Sequence, residues 1–349
     1  MSSIIRSKAS LLKSFDEDEV MLSADKEHFN EVLDKFPQQI REAALLTTPS
    51  LHQKFSTLFF CGVGGSGMPG EIVKRIISDW PVILVKNYEL PSYVGRDSLV
   101  FVVSYSGNTE ETLETYNQLK QRDATVIAVA SGGMLAQQAK EDGCPCIVVP
   151  TPSAGPSGFQ PRMAIGYQTI PVLNTLARAG LAETIQWKKI ADFLDSKKRE
   201  IKEHAQKLAA RIGKKIPIIY SSEHFYAAAL KWKIDFNENS KIHSFSHHFP
   251  EFNHNEINGY VHGTKNVIVF ILRDKDDHPR NLKRIDVISK LLIGKGIDLQ
   301  VIDSVGSTFV ERVFWTIWLG DWVSYYTALS NNVDPTPVAV IEELKKMLK

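Results

Sequence analysis

The sequence predicts an α/β protein with two similar domains in tandem, each a parallel sheet flanked by helices in three layers. Two observations predict it. Short apolar runs alternate with helical patterns from about residue 57 to 149, and the alternation restarts near residue 216. In both halves a strand is followed by a hydroxyl-rich turn and then a helix, although no close repeat is visible.

Ser14 to about Thr48 reads as helical, with Phe29, Val32, Leu33, Phe36, Ile40 and Ala44 on one face and a break or kink at Pro37. The first set of strands is expected at Leu58–Val63, Pro81–Val85, Leu99–Val103, Thr125–Ala130 and Cys146–Val149. Helices are expected between them at Gly70–Ser78, Glu110–Gln121 and Met134–Asp142. A loop rich in Pro, Ser and Gly spans Pro150 to Pro161. A mostly helical stretch, Arg162 to Ile212, follows and carries the run Lys197-Lys198-Arg199-Glu200, read as a solvated helix face. The second set of strands is expected at Ile216–Tyr220, His243–Phe245, Asn266–Leu272 and Leu299–Ile302, with helices at Tyr226–Asn237, Asn281–Lys295 and Val310–Leu329. A last helical pattern covers Pro337–Lys349. The domains are expected at 1–185 and 186–349, joined near Ala182–Ile212.

The 349 residues are 43% hydrophobic, with a formal net charge of +1. That balance, without a basic block, gives no reason to expect nucleic acid or an anionic membrane as a partner. Three cysteines, Cys61, Cys144 and Cys146, lack zinc-type spacing and fit a reducing compartment rather than a disulfide framework. Met1-Ser2-Ser3-Ile4-Ile5-Arg6 is not followed by an apolar signal segment, and no apolar run is long enough to span a bilayer, so a cytoplasmic protein is expected.

The most informative stretch is Ser104-Tyr105-Ser106-Gly107-Asn108-Thr109-Glu110-Glu111-Thr112, directly after Leu99–Val103. A strand turning tightly into a helix presents free main-chain N–H groups and a positive dipole end, and clustered hydroxyls add neutral donors. Such a turn can hold a phosphate without lysine or metal. The same residues are also ordinary turn and N-cap vocabulary. A second such turn, Gly64-Gly65-Ser66-Gly67, follows Leu58–Val63 and supports the phosphate reading. It lacks the downstream acid of a dinucleotide site: Val82–Val85 runs into Lys86 and Asn87.

Two polar segments could carry acid–base chemistry. Glu238 ends an amphipathic helix in Asn237-Glu238-Asn239-Ser240-Lys241. It suits a solvated cap or a general base facing a cleft. His254, in Phe252-Asn253-His254-Asn255-Glu256, suits a surface loop or an acid/base group. His243, His247 and His248 are less distinctive, and no metal-type pairing is evident.

These two turns, Gln160-Pro161-Arg162 and the Glu238 and His254 segments occur in an order that resembles the bifunctional phosphoglucose/phosphomannose isomerases of the sugar-isomerase (SIS) superfamily. The likeness covers nearly the whole chain. It implies two tandem SIS-type domains and reversible isomerisation of glucose 6-phosphate and mannose 6-phosphate to fructose 6-phosphate through a cis-enediolate. It implies that Ser66, Ser104, Ser106 and Thr109, with Gly65 and Gly107, hold the sugar phosphate. Arg162 would stabilise the enediolate, Glu238 would move the proton, and His254 would open the ring. It further implies a homodimer in which His254 comes from the neighbouring subunit. Asp334-Pro335-Thr336-Pro337 and Glu343-Leu344-Lys345 resemble the segment that brings a threonine and a lysine to the site, here Thr336 and Lys345. No cofactor or metal is expected. Two other readings stay open: a non-catalytic SIS module that binds sugar phosphates for regulation, and a glucosamine-6-phosphate synthase-like isomerase. Glu238 and His254 weigh against the first, and the missing glutaminase domain weighs against the second.

Overall fold

A computed structural model describes residues 23–77 and 79–348. The helical expectation for Ser14 to residue 22, and those for Met1–Arg6, Ser78 and Lys349, lie outside the described residues.

The chain enters through two short helices, α1 (Phe29–Asp34) and α2 (Phe36–Ala44). The break falls at Lys35, two residues earlier than expected, because Pro37 lies in the first turn of α2, where its missing N–H costs nothing. Helix α2 ends at Ala44 rather than near Thr48.

The first sheet contains β1 (Thr57–Cys61), β2 (Val82–Val85), β3 (Ser98–Val103), β4 (Thr125–Ala130) and β5 (Cys146–Val148), in the order β2-β1-β3-β4-β5. All pairs are parallel, with Leu58 beside Val82 and Leu99. The crossovers are α3 (Met68–Ile76), α4 (Glu110–Leu119) and α5 (Gly133–Glu141). The chain leaves β1 toward β2 and returns to β3 on the other side. The carboxyl ends of β1 and β3 therefore flank the switch point where open α/β sheets bind ligands.

After α6 (Ile165–Arg178) and the 26-residue α7 (Trp187–Ile212) the pattern restarts. The second sheet holds β6 (Ile216–Ser222), β7 (Phe245–Phe249), β8 (Val267–Arg273) and β9 (Asp298–Asp303), in the order β7-β6-β8-β9 and parallel throughout. Its helices are α8 (Tyr226–Glu238), α9 (Pro279–Gly294) and α10 (Phe309–Ser330), and α11 (Ala339–Met347) closes the described chain. Strand β7 corrects the expected His243–Phe245. It pairs Phe245 with Ile218 and Phe249 with Ser222, and its Phe-Ser-His-His-Phe sequence lacks an apolar run because it is a partly exposed edge strand.

Both sheets are buried on both faces, as parallel sheets usually are. Leu58, Phe60, Phe101 and Phe270 face a shared core with Trp232, Trp318 and the α2, α6 and α7 helices. Phe59, Val100 and Val102 face the other way, toward Tyr116 and Leu135. Tyr220 and Val269 do the same in the second sheet, toward Phe252 and Leu292. Helix α10 packs along α7 and α8, so the segment expected only to join the domains is part of the core. In the charged run, Lys197 pairs with Glu200 on the surface, but Lys198 reaches Asp34 of α1 at 3.2 Å. The three cysteines are free, and burial pushes the Cys61 thiol up to about 12. Among the described residues, no helix is long and apolar enough to cross a membrane.

Candidate active site

The two hydroxyl-rich turns meet at the carboxyl edge of the first sheet. After β1, Gly64–Gly67 forms a 3-10 turn leading into α3. Ser66 is buried, and its Oγ accepts from the Tyr105 N–H at 2.9 Å, which joins the β1 turn to the β3 turn. Ser104 is fully buried, and its Oγ lies 2.9 Å from Thr109 Oγ1. Ser106 is exposed, with Oγ accepting from Asn108 N–H at 3.3 Å. Gly107 has φ +69°, and a Cβ there would fall 1.9 Å from the Gly132 carbonyl oxygen, so only glycine fits. Thr109 precedes α4 without a side-chain cap. The first N–H groups of α4 have no partner within the helix, as at any helix start, and no Thr109 side-chain cap satisfies them.

Arg162 connects this edge to the second half of the chain. It sits in a 3-10 turn, Pro161–Met163, that packs on Gly64–Gly67. Gly65 permits that approach: a Cβ on it would lie 2.7 Å from the Arg162 main-chain nitrogen. The Arg162 side chain is almost wholly buried. Its Nε donates to Asn239 Oδ1 at 2.6 Å and its Nη1 to Glu238 Oε2 at 3.2 Å. Its Nη2 donates to the carbonyls of Pro335 and Thr336 at 2.9 and 2.8 Å. A guanidinium with four fixed acceptors has little freedom, and its planar fork suits that role. Burial lowers its pKa, and Glu238, Asp235 and Asp321 oppose that shift.

Glu238 ends α8 with its carboxylate about one-fifth exposed, between solvent and Arg162. Behind it on the helix are Asp235 and Lys231, both fully buried, and Lys231 Nζ lies 2.5 Å from Asp235 Oδ1 and from Asp321 Oδ1 on α10. Burial disfavours the Lys231 charge, yet the two aspartates outweigh it and raise its pKa. Burial, reinforced by Asp321, holds Asp235 well above the carboxylate range, with Lys231 opposing. Asp235 and Asp321, with the Lys231 ammonium between them, are also the acids that oppose the lowering of the Arg162 pKa besides Glu238. Thr336 is buried, and among the described residues its Oγ1 has no hydrogen-bond partner. A buried hydroxyl beside a buried guanidinium is the kind of group a ligand satisfies.

The structure therefore joins Gly65, Ser66, Ser104, Thr109, Arg162, Glu238 and Thr336 through a continuous chain of contacts, with Ser106 and Gly107 at its mouth. It does not bring His254 or Lys345 to the same place. His254 is exposed in a 3-10 turn, Glu251–His254, beyond the carboxyl end of β7. Glu238 ends α8, which runs back from the carboxyl end of β6, so it lies toward the opposite edge of the second sheet. Thirteen helical residues span roughly 20 Å, which separates the two groups within one chain. Lys345 pairs with Glu342 at 2.7 Å on α11, which is exposed along its length.

Sequence reasoning missed Asn239, Lys241 and the Lys231–Asp235–Asp321 triad. The signal for two of these was present: Lys231, Asp235 and Glu238 recur at helical spacing on one face of α8. Asp321 offered none, because α10 is apolar almost all round.

Residues 51–157 match the SIS domain profile, and residues 201–348 match the profile described as the bacterial phospho-glucose isomerase C-terminal SIS domain. A bifunctional phosphoglucose/phosphomannose isomerase of Caldicellulosiruptor bescii is 38% identical over 304 residues, which cover 82% of this chain and 88% of that one. A relative with the same description, from Thermoplasma acidophilum, is 34% identical over 330 residues, covering 94% of this chain and 100% of its own. The solved C-terminal domain of glucosamine-fructose-6-phosphate aminotransferase from Francisella tularensis superposes with a TM-score of 0.65 at 17% identity, covering 89% of this chain and 98% of that one, a likeness of fold alone. The chain belongs to the bifunctional phosphoglucose/phosphomannose isomerase family.

Proposed function

We propose that this chain isomerises glucose 6-phosphate and mannose 6-phosphate to fructose 6-phosphate at the Arg162–Glu238 site. The observation that carries this reading is the Glu238 carboxylate, partly open to solvent and held 3.2 Å from a buried, fixed guanidinium beside two phosphate-type turns. An aldose–ketose conversion must break a C–H bond next to a carbonyl. Glu238 takes the proton from C2, the electron pair moves into a C1–C2 enediolate, and the negative charge on oxygen meets Arg162. Glu238 then returns the proton to C1 while the O2 hydroxyl proton passes to O1 and the carbonyl forms at C2.

The phosphate would sit on the N–H groups and hydroxyls of Gly65, Ser66, Ser104, Ser106, Gly107 and Thr109, far from the reacting carbons, and so supply orientation. Thr336 is small, and beside C1 and C2 it would leave room for the enediolate to rotate so that either C2 epimer meets Glu238. His254 would open the ring of a substrate held by the other subunit of a homodimer. The edge-to-edge separation within one chain supports that reading, since one chain alone cannot bring both groups to one sugar. Lys345 would join the phosphate only when the exposed helix α11 leaves the position described here. The division into domains at 1–185 and 186–349 and a cytoplasmic location belong to the same reading.

The test is turnover. Purified protein should form fructose 6-phosphate from both aldose phosphates. Binding of both sugars without turnover would replace this reading with the regulatory one.

A further inference from the structure

Lys241 follows the base by three residues, and no step above uses it. Its backbone is left-handed, with φ +55°, a region most side chains avoid. That turn sends the side chain back over the end of α8. There Nζ donates to the Glu238 carbonyl at 2.6 Å and lies 3.5 Å from that of Asn239. It also donates to the Pro335 carbonyl at 3.0 Å, a residue 94 positions away. The same Pro335 oxygen accepts from Arg162 Nη2. A lysine serving only as a helix C-cap would need the first two contacts but not the third.

We propose that Lys241 is a positioning residue for the isomerisation: its ammonium ties the main chain of the base Glu238 to the Asp334–Pro337 strap that carries Thr336. Base and strap are then held at one spacing around Arg162, and loosening the tie lets both drift from the geometry the reaction needs. The groups facing the ammonium are Arg162, Asp334, Glu238 and Glu27. Burial and Arg162 bring its pKa down to about 8, against the pull of the three carboxylates. Below that pH the clamp is charge-assisted, and above it a neutral amine donates more weakly. Stability moves the other way. A lysine whose folded pKa is depressed stabilises the fold as pH rises from about 8 toward the unfolded value near 10.4. An alkaline loss of activity without loss of stability is therefore the signature of the clamp.

The inference rests on the isomerase reading for its kinetic readout, so a second readout is independent of it. Lys241→Met and Lys241→Arg are compared with the parent in kcat and KM across pH 6.5–9.5 (roughly the window around the shifted lysine), in melting temperature, and in amide hydrogen exchange of residues 331–338. The expected result is a ~10–100-fold fall in kcat for Lys241→Met with KM changed less than about threefold, and faster exchange of the strap. The parent should lose kcat above about pH 8, and Lys241→Arg, cationic throughout, should not. Parent-like kcat and exchange in Lys241→Met, or an unchanged alkaline limb in Lys241→Arg, overturns the proposal. If Lys241→Met does not fold, the limb in Lys241→Arg decides. If the parent turns over neither sugar, the isomerase reading fails, and strap exchange alone decides the clamp: faster in Lys241→Met than in the parent and Lys241→Arg supports it, and exchange unchanged in Lys241→Met overturns it.

Discussion

Gly65→Ala is the smallest change that tests how the phosphate edge positions the electrophile. A Cβ at Gly65 would meet Arg162 N at 2.7 Å, Pro161 C at 2.9 Å and Arg162 Cα at 3.0 Å, all main-chain atoms. Ordinary contact begins near 3.4 Å, so the Pro161–Met163 turn must retreat by about 0.7 Å (3.4 − 2.7). Arg162 rides on that turn and holds Glu238 at 3.2 Å, so the retreat is transmitted to the reacting groups. A misplacement of about 1 Å costs up to ~10²-fold in rate, and overpacking of this kind costs roughly 1–3 kcal/mol of stability. We expect kcat for both sugars to fall about 10–100-fold, with a modest drop in melting temperature. Gly95→Ala is the matched control, because a Cβ there meets nothing within 4 Å and its backbone is not left-handed. Kinetics and melting of the two variants side by side decide the matter. If Gly65→Ala keeps the kcat of Gly95→Ala, the close approach of the two turns does not position Arg162.

Two more outcomes follow from the site. Ser104→Ala, Ser106→Ala and Thr109→Ala each remove a neutral donor worth about 0.5–1.5 kcal/mol, so each should raise KM several-fold in steady-state assays; three parent-like KM values would place the phosphate elsewhere. Mixing inactive Glu238→Gln and His254→Ala chains with subunit exchange should restore about a quarter of parental activity, because about half the dimers are mixed and each regains one of two sites. Exchange without recovery would mean that His254 serves its own subunit or does not act.

Much of the fold was legible because parallel strands buried on both faces read as plain apolar runs. Leu99–Val103 and Thr125–Ala130 are of this kind, and β3 and β4 fall where expected. Strand β7 was not legible, since an edge strand with His247 and His248 has no apolar run to find. The site divides in the same way. The hydroxyl turns are local, and contiguous letters describe them. The Arg162 environment is assembled from residues 162, 235, 239, 321 and 335, whose juxtaposition depends on the shared core between the two sheets. Lys241 sat inside a quoted segment, but its tie to Pro335 depends on a left-handed turn that no local pattern announced.

The central claim is that one carboxylate, Glu238, moves the proton for both sugars. The direct measurement is fructose 6-phosphate formation from glucose 6-phosphate and from mannose 6-phosphate by parent and Glu238→Gln, with sugar-phosphate binding measured on the same samples. The amide keeps the side chain's shape beside Arg162 but cannot accept the proton. The account predicts that both turnovers fall by ~10²-fold or more while binding stays within a few-fold of the parent. Turnover of either sugar at the parental rate in Glu238→Gln would contradict it.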